Sequence, residues 1–113
     1  MTDQTYMRRW QQAAHQALGE LLNADNLPPV TWTITPSGAL VADIDSLTST
    51  PDEQRQAFTA WCQHLGADVM PERTNSAGTA HLYAKFSWRA ARTRTAVPGA
   101  IRASIHPQME DEQ

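Results

Sequence analysis

Between Arg73 and Met109 the chain carries six cations and no carboxylate: Arg73, Lys85, Arg89, Arg92, Arg94 and Arg102. Guanidinium groups present paired N–H donors that match the oxygens of phosphates and carboxylates, so the chemistry available to this third is anion binding. Arg89, Arg92 and Arg94 fall beside Thr93 and Thr95 in a polar stretch that ends at Pro98, which suits contacts to phosphate. Tyr83 alternates with Lys85 and is the one aromatic expected on the solvent side of its strand. Two classes of partner follow. One is an acidic protein surface and the other is nucleic acid.

The remainder of the chain opposes the second class. Residues 1–72 hold nine acids against three bases (Arg8, Arg9 and Arg55), and Glu110, Asp111 and Glu112 follow the basic block, so the net charge is −3. Such segregation creates a local field that the net charge conceals. No helix-turn-helix pattern, ribonucleoprotein-type aromatic pair or GxxG clamp is readable.

Catalytic and metal chemistry find little support. His81 and His106 fall on neighbouring predicted strands, but two imidazoles without a carboxylate at ligand spacing do not make a metal site. Cys62 is the single cysteine, which excludes an intramolecular disulfide and a Cys-based cluster. It stands on the apolar stripe of a predicted helix, where a thiol serves as core. No HExxH, GxSxG or phosphate-binding glycine loop is present. The expectation is a non-enzymatic module without cofactor or metal, acting through protein–protein contacts, with nucleic-acid binding as the alternative and a homodimer as one form of partnership.

The elements that must position these groups are legible from periodicity. Tyr6, Met7, Trp10, Ala13, Ala14, Ala17, Leu18, Leu21 and Leu22 recur at spacings of three and four, which predicts an amphipathic helix over 4–22. From Val30 the period becomes two. Val30, Trp32 and Ile34, then Leu40, Ala42 and Ile44, predict a hairpin closed by Pro36-Ser37-Gly38, pairing Ile34 with Leu40, Trp32 with Ala42, and Val30 with Ile44.

Thr50, Pro51, Asp52 and Glu53 carry the marks of a helix start: an N-cap, proline at the first helical position, and carboxylates in the positive first turn. The buried stripe of this helix is Ala57 or Phe58, Trp61, Cys62 and Leu65, with Gly66 as its C-terminal cap. A short strand is expected at Asp68-Val69-Met70 and a turn at Asn75-Ser76-Ala77-Gly78.

Leu82, Ala84, Phe86 and Trp88, then Ile101, Ala103 and Ile105, alternate with polar residues and predict a second hairpin. A symmetric register pairs Leu82 with Ile105, Ala84 with Ala103, and Phe86 with Ile101, because a slip by one would bury Lys85 or Arg102. That register sets His81 against His106, Tyr83 against Ser104, and Lys85 against Arg102. Two facing cations repel, so an internal acid (Asp43, Asp45 or the tail carboxylates), a bound anion or an acidic partner surface is expected to offset them.

The fold expected is a single α+β domain over 1–109 in the order αββαββ, an antiparallel sheet of four or five strands with both helices on one face. Residues 110–113 read as an acidic, disordered tail. At 113 residues the chain is long enough for one hydrophobic core. Trp10 and Trp88, near element ends, are the indoles expected at an interface. No apolar run reaches the ~18 residues of a membrane span and 1–16 lacks an apolar leader stretch, so a cytoplasmic protein without membrane contact is expected.

Overall fold

The computed structural model describes residues 2–24, 27–45, 49–91 and 95–107, with side chains from residue 5. The chain runs α1 (Thr2–Leu22), β1 (Val30–Ile34), β2 (Leu40–Ile44), α2 (Pro51–Leu65), β3 (Asp68–Val69), β4 (Arg73–Thr74), β5 (Ala80–Arg89) and β6 (Ala96–Ile105). The αββαββ order stands, with the short strand expected at 68–70 present as β3 and a further two-residue strand, β4, added before the second hairpin. The expected acidic tail and the arginines Arg92 and Arg94 lie outside the described residues.

The first hairpin adopts the three expected pairs, with Thr31–Asp43 and Thr33–Val41 between them. Its turn explains why. Gly38 N–H donates to Thr35 O and Thr35 N–H to Ala39 O, both at 2.9 Å, and Gly38 takes φ +85°, the left-handed conformation that closes a three-residue loop. Turn chemistry is local, so it fixes this register without help from the rest of the molecule.

Helix α2 is equally local in origin. The Thr50 hydroxyl accepts from Glu53 N–H (3.2 Å) while the Glu53 carboxylate accepts from Thr50 N–H (2.8 Å), a reciprocal capping box. At the other end Gly66 is left-handed, and Ala67 N–H reaches Cys62 O at 2.9 Å. Thr50→Ala removes an acceptor for an otherwise orphaned helix N–H and is expected to cost about 1 kcal/mol. Chemical denaturation of the whole chain measures it, and an unchanged midpoint would show that the cap contributes nothing.

The sheet departs from an all-antiparallel arrangement. Its six strands lie in the order β1-β2-β6-β5-β3, with β4 also on the outer side of β5, and β2 pairs with β6 in parallel. Each hairpin is antiparallel within itself, but that says nothing about which of its strands meets the other hairpin. Joining them through β2 and β6 sets Leu40 beside Gly99 and Ala42 beside Ile101 on the covered face, and Asp43 beside Arg102 on the other. Apolar rows and opposite charges are thereby matched at once.

The second hairpin is displaced by two residues from the symmetric register. Leu82 faces Ala103, Ala84 faces Ile101 and Phe86 faces Gly99. A shift of two preserves every side chain's face, so alternation alone does not discriminate the two registers. Packing does. A Cβ at Gly99 would run into the Phe86 ring and lie 2.8 Å from Leu40 O, so the glycine leaves the space that the ring occupies.

Both helices cover one face. Ala14, Ala17 and Leu21 of α1 and Phe58, Trp61, Cys62 and Leu65 of α2 share one core with Leu40, Ala42, Leu82, Ala84, Phe86, Val97, Ile101 and Ala103. Trp61 is 4% exposed, donates its indole N–H to Pro28 O (2.8 Å), and meets Trp32 edge-to-face. The core of α1 starts only at Ala14, and Tyr6 and Trp10 stack on each other in solvent. Among the described residues no helix is long and apolar enough to cross a membrane.

Candidate interaction face

No described helix packs on the second face of the sheet, and the polar half of each strand's alternation projects from it. Three rows cross this face. Thr31, Asp43, Arg102 and Tyr83 form the first, Thr33, Val41, Ala100, Lys85 and Asp68 the second, and Ser104, His81 and Arg73 the third. Ser87 and Arg89 continue β5 beyond them.

The displaced register rewrites the charge relations. Lys85 faces Ala100, not Arg102, so the expected repulsion between two directly opposed cations is absent. Arg102 instead faces Tyr83 across β5 and stands beside Asp43 across β2. Its Nε and Nη2 donate to the two Asp43 oxygens, each at 3.0 Å, in the bidentate geometry that suits a guanidinium. This hydrogen bonding holds Arg102 protonated to even higher pH than usual, burial opposing the effect and the Asp43 charge adding to it. An internal acid therefore compensates Arg102, and Asp43 is that acid.

The other cations of the face are differently placed. The side chains of Arg73, Lys85 and Arg89 are exposed and make no ion pair or hydrogen bond among the described residues. Arg73 belongs to the basic block of the sequence, but a two-residue strand carries no readable period, so its place on this face follows only from β4 folding back onto β5. Asp68 reaches the same face through β3, opposite Lys85. Tyr83 is 36% exposed between these charges.

The histidines are separated by the same shift. His81 faces Ser104, its Nδ1 3.3 Å from Ser104 Oγ and its Nε2 3.4 Å from Asn75 Nδ2. His106 lies at the end of β6 and pairs through Nδ1 with Thr79 Oγ1 at 3.0 Å. A serine beside an imidazole resembles the start of a nucleophilic pair, but the third group here is an amide, and the nearby Asp43 is committed to Arg102. The two rings share no ligand position, and no cluster of three or more His, Cys, Asp or Glu that could hold a metal occurs among the described residues. Cys62 is buried in α2, and burial raises its thiol above the ordinary value, away from the reactive thiolate.

The indoles divide. Trp88 is half-buried, stacked on His64 and donating Nε1–H to Glu20 Oε1 (3.1 Å), while Glu20 Oε2 also accepts from Ala91 N–H. It ties the start of the β5–β6 loop to α1. Trp10 is 46% exposed and lies against Gly38, beside a shallow apolar groove of about 240 Å³ whose other wall is Ala96–Pro98. On the open sheet face, a depression of about 470 Å³ is lined by Asp43, His81, Tyr83, Arg102 and Ser104. Comparison of the chain with models of protein families, with curated proteins and with solved structures finds no match.

Proposed function

We propose that this chain is a non-catalytic binding module that docks an acidic segment of another protein on its open sheet face. The observation that carries the reading is the set of three exposed cations whose side chains have no internal partner, Arg73, Lys85 and Arg89, spread along β4 and β5, with Arg73 and Lys85 in the rows on either side of the open Tyr83 ring. Such an array recognises carboxylates by charge and seats one apolar or aromatic group on the tyrosine. The fixed carboxylates supply register. Asp43 neutralises Arg102, and Asp68 interrupts the cations opposite Lys85, so the face is patterned in both signs.

That pattern favours protein over nucleic acid. A phosphate backbone carries a regular series of negative charges and is best met by an unbroken cationic track. Here two carboxylates lie within the track, and a single aromatic offers little to successive bases.

Tyr83→Thr with Lys85→Gln keeps strand-compatible side chains at both positions and sets no carboxylate opposite Asp68, so it is expected to leave the unfolding free energy within about 1 kcal/mol of the parent. The probe is a pool of Asp- and Glu-rich dodecapeptides, each with one Phe or Trp, titrated into the labelled protein and followed by amide NMR shifts. Shifts confined to β4, β5 and the centre of β6 are expected, and the double substitution should weaken them at least tenfold. A single-stranded oligonucleotide that shifts the same amides, with affinity falling steeply in salt, would replace this reading with the nucleic-acid one. Silence with both probes would overturn both.

A further inference from the structure

The two edges of the sheet are built differently. On one side β3 and β4 are two residues each, separated by Met70, Pro71 and Glu72 and bearing Asp68 and Arg73. Short strands, proline and charge are the means by which an edge avoids pairing with another chain. On the other side β1 is the continuous run Val-Thr-Trp-Thr-Ile, uncharged, without proline or bulge, and composed entirely of residues that favour strands. It has none of these protections.

The hairpin geometry says which backbone groups this edge offers. Thr35 N–H bonds Ala39 O, so the 35–39 pair is hydrogen-bonded, and alternation makes 33–41 and 31–43 the bonded pairs within the hairpin. The N–H and C=O of Val30, Trp32 and Ile34 consequently point away from β2. None of them is bonded elsewhere in the backbone among the described residues. They are spaced symmetrically about Trp32.

From this we infer that β1 is a self-association edge and that its occupant is β1 of a second copy of this chain. Antiparallel pairing about a two-fold axis at Trp32 sets Val30 against Ile34 of the other copy, Trp32 against Trp32, and Ile34 against Val30. Every outward donor then meets an outward acceptor, giving six hydrogen bonds, two for each of the three residue pairs. On the open face Thr31 meets Thr33 of the other copy, a favourable cross-strand pair, and no like charges face each other. Pro29 and Pro36 bound the strand at both ends, so the pairing has a defined length and closes as an isologous dimer.

The residual exposure of Val30, Trp32 and Ile34 on the helix-covered face adds apolar area to the junction, since all three are half-buried in the single chain. Because the axis is perpendicular to the sheet, both open faces point the same way. The inference stands independently of what those faces bind, although a dimer would present them as a bivalent surface.

The test is sedimentation equilibrium of the full chain across a concentration series, read together with backbone amide exchange at its two ends. A mass rising from 12.5 kDa towards twice that value is expected. Amides of Val30, Trp32 and Ile34 should gain protection at high concentration, while those of Thr31 and Thr33, already bonded to β2, should not change. Thr31→Lys with Thr33→Lys places like charges opposite each other at two exposed positions and should weaken dimerisation roughly tenfold. Since that variant also alters strand propensity, Val30→Pro serves as a second, removing an outward donor at a strand's first residue, where proline is tolerated. A constant monomer mass with unchanged exchange at residues 30, 32 and 34 would overturn the inference. So would a dimer indifferent to both variants.

Discussion

Trp61→Ala is expected to destabilise the domain by about 3–5 kcal/mol, the range for truncating a buried tryptophan. Three losses coincide at this position. The ring is 4% exposed, so its removal leaves a cavity beneath α2. Its edge-to-face contacts with Trp32 and with His64 disappear, and with them part of the packing that links α2 to β1. Finally, Pro28 O loses the indole N–H at 2.8 Å that satisfies it at the entry to β1.

Domains of this size unfold at roughly 5–15 kcal/mol, so the variant should lose a large share of its stability and shift its urea midpoint accordingly. Trp61→Phe keeps an aromatic ring and abandons the hydrogen bond, and an intermediate midpoint is expected. Equal midpoints for Trp61→Phe and the parent would show that the Pro28 bond contributes nothing. A parent-like Trp61→Ala would show that the aromatic cluster is not a principal part of the core.

The second large effect belongs to Gly99→Val. The position is tight on two sides, against the Phe86 ring and against Leu40 O, and the latter is backbone that cannot rotate away. Overpacking of this kind costs about 1–3 kcal/mol for a modest volume increase, and valine's branched carbons place it at or above the upper end. Phe86→Leu opens space on one side only. The double variant Gly99→Val with Phe86→Leu should therefore recover part of the loss, and a double-mutant cycle from denaturation midpoints should give a non-zero coupling. Strict additivity would mean that Phe86 does not lie over Gly99, and the register of the second hairpin would have to be redrawn.

That register marks the boundary between what was readable along the chain and what was not. In both hairpins the alternation of apolar and polar residues assigns the strand side chains over 30–34, 40–44, 82–88 and 101–105 to their faces, while residues 96–98, read as the end of a polar connecting stretch, belong to β6. Only in the first did a three-residue turn also count the strand positions. Between Arg89 and Ala96 the sequence carries no comparable turn signal, and the two-residue alternative keeps the same faces. The choice passed to a contact between Phe86 and a residue thirteen positions away, whose missing side chain has meaning only when the ring is there.

The candidate face shows the same division. Lys85, Arg102 and Tyr83 are identifiable because they alternate with core residues on strands, whereas Arg89, read as part of the polar connecting stretch, is the last residue of β5. The relations of these side chains are not identifiable in this way, since each depends on a partner brought in by topology: Asp43 by the parallel β2–β6 pairing, Asp68 by β3, Arg73 by β4. Trp10 and Trp88, similar by position in the sequence, diverge because Glu20 and His64 engage one and solvent meets the other.

Helix boundaries, caps, the first hairpin and the covered and open faces follow from interactions within about five residues or from a simple period, which the chain specifies wherever it folds. The order of the strands, the parallel junction and the pairing of Arg102 with Asp43 join groups tens of residues apart. Such contacts form only when apolar rows, charges and the space left by a glycine are matched together, and that matching is a property of the packed molecule.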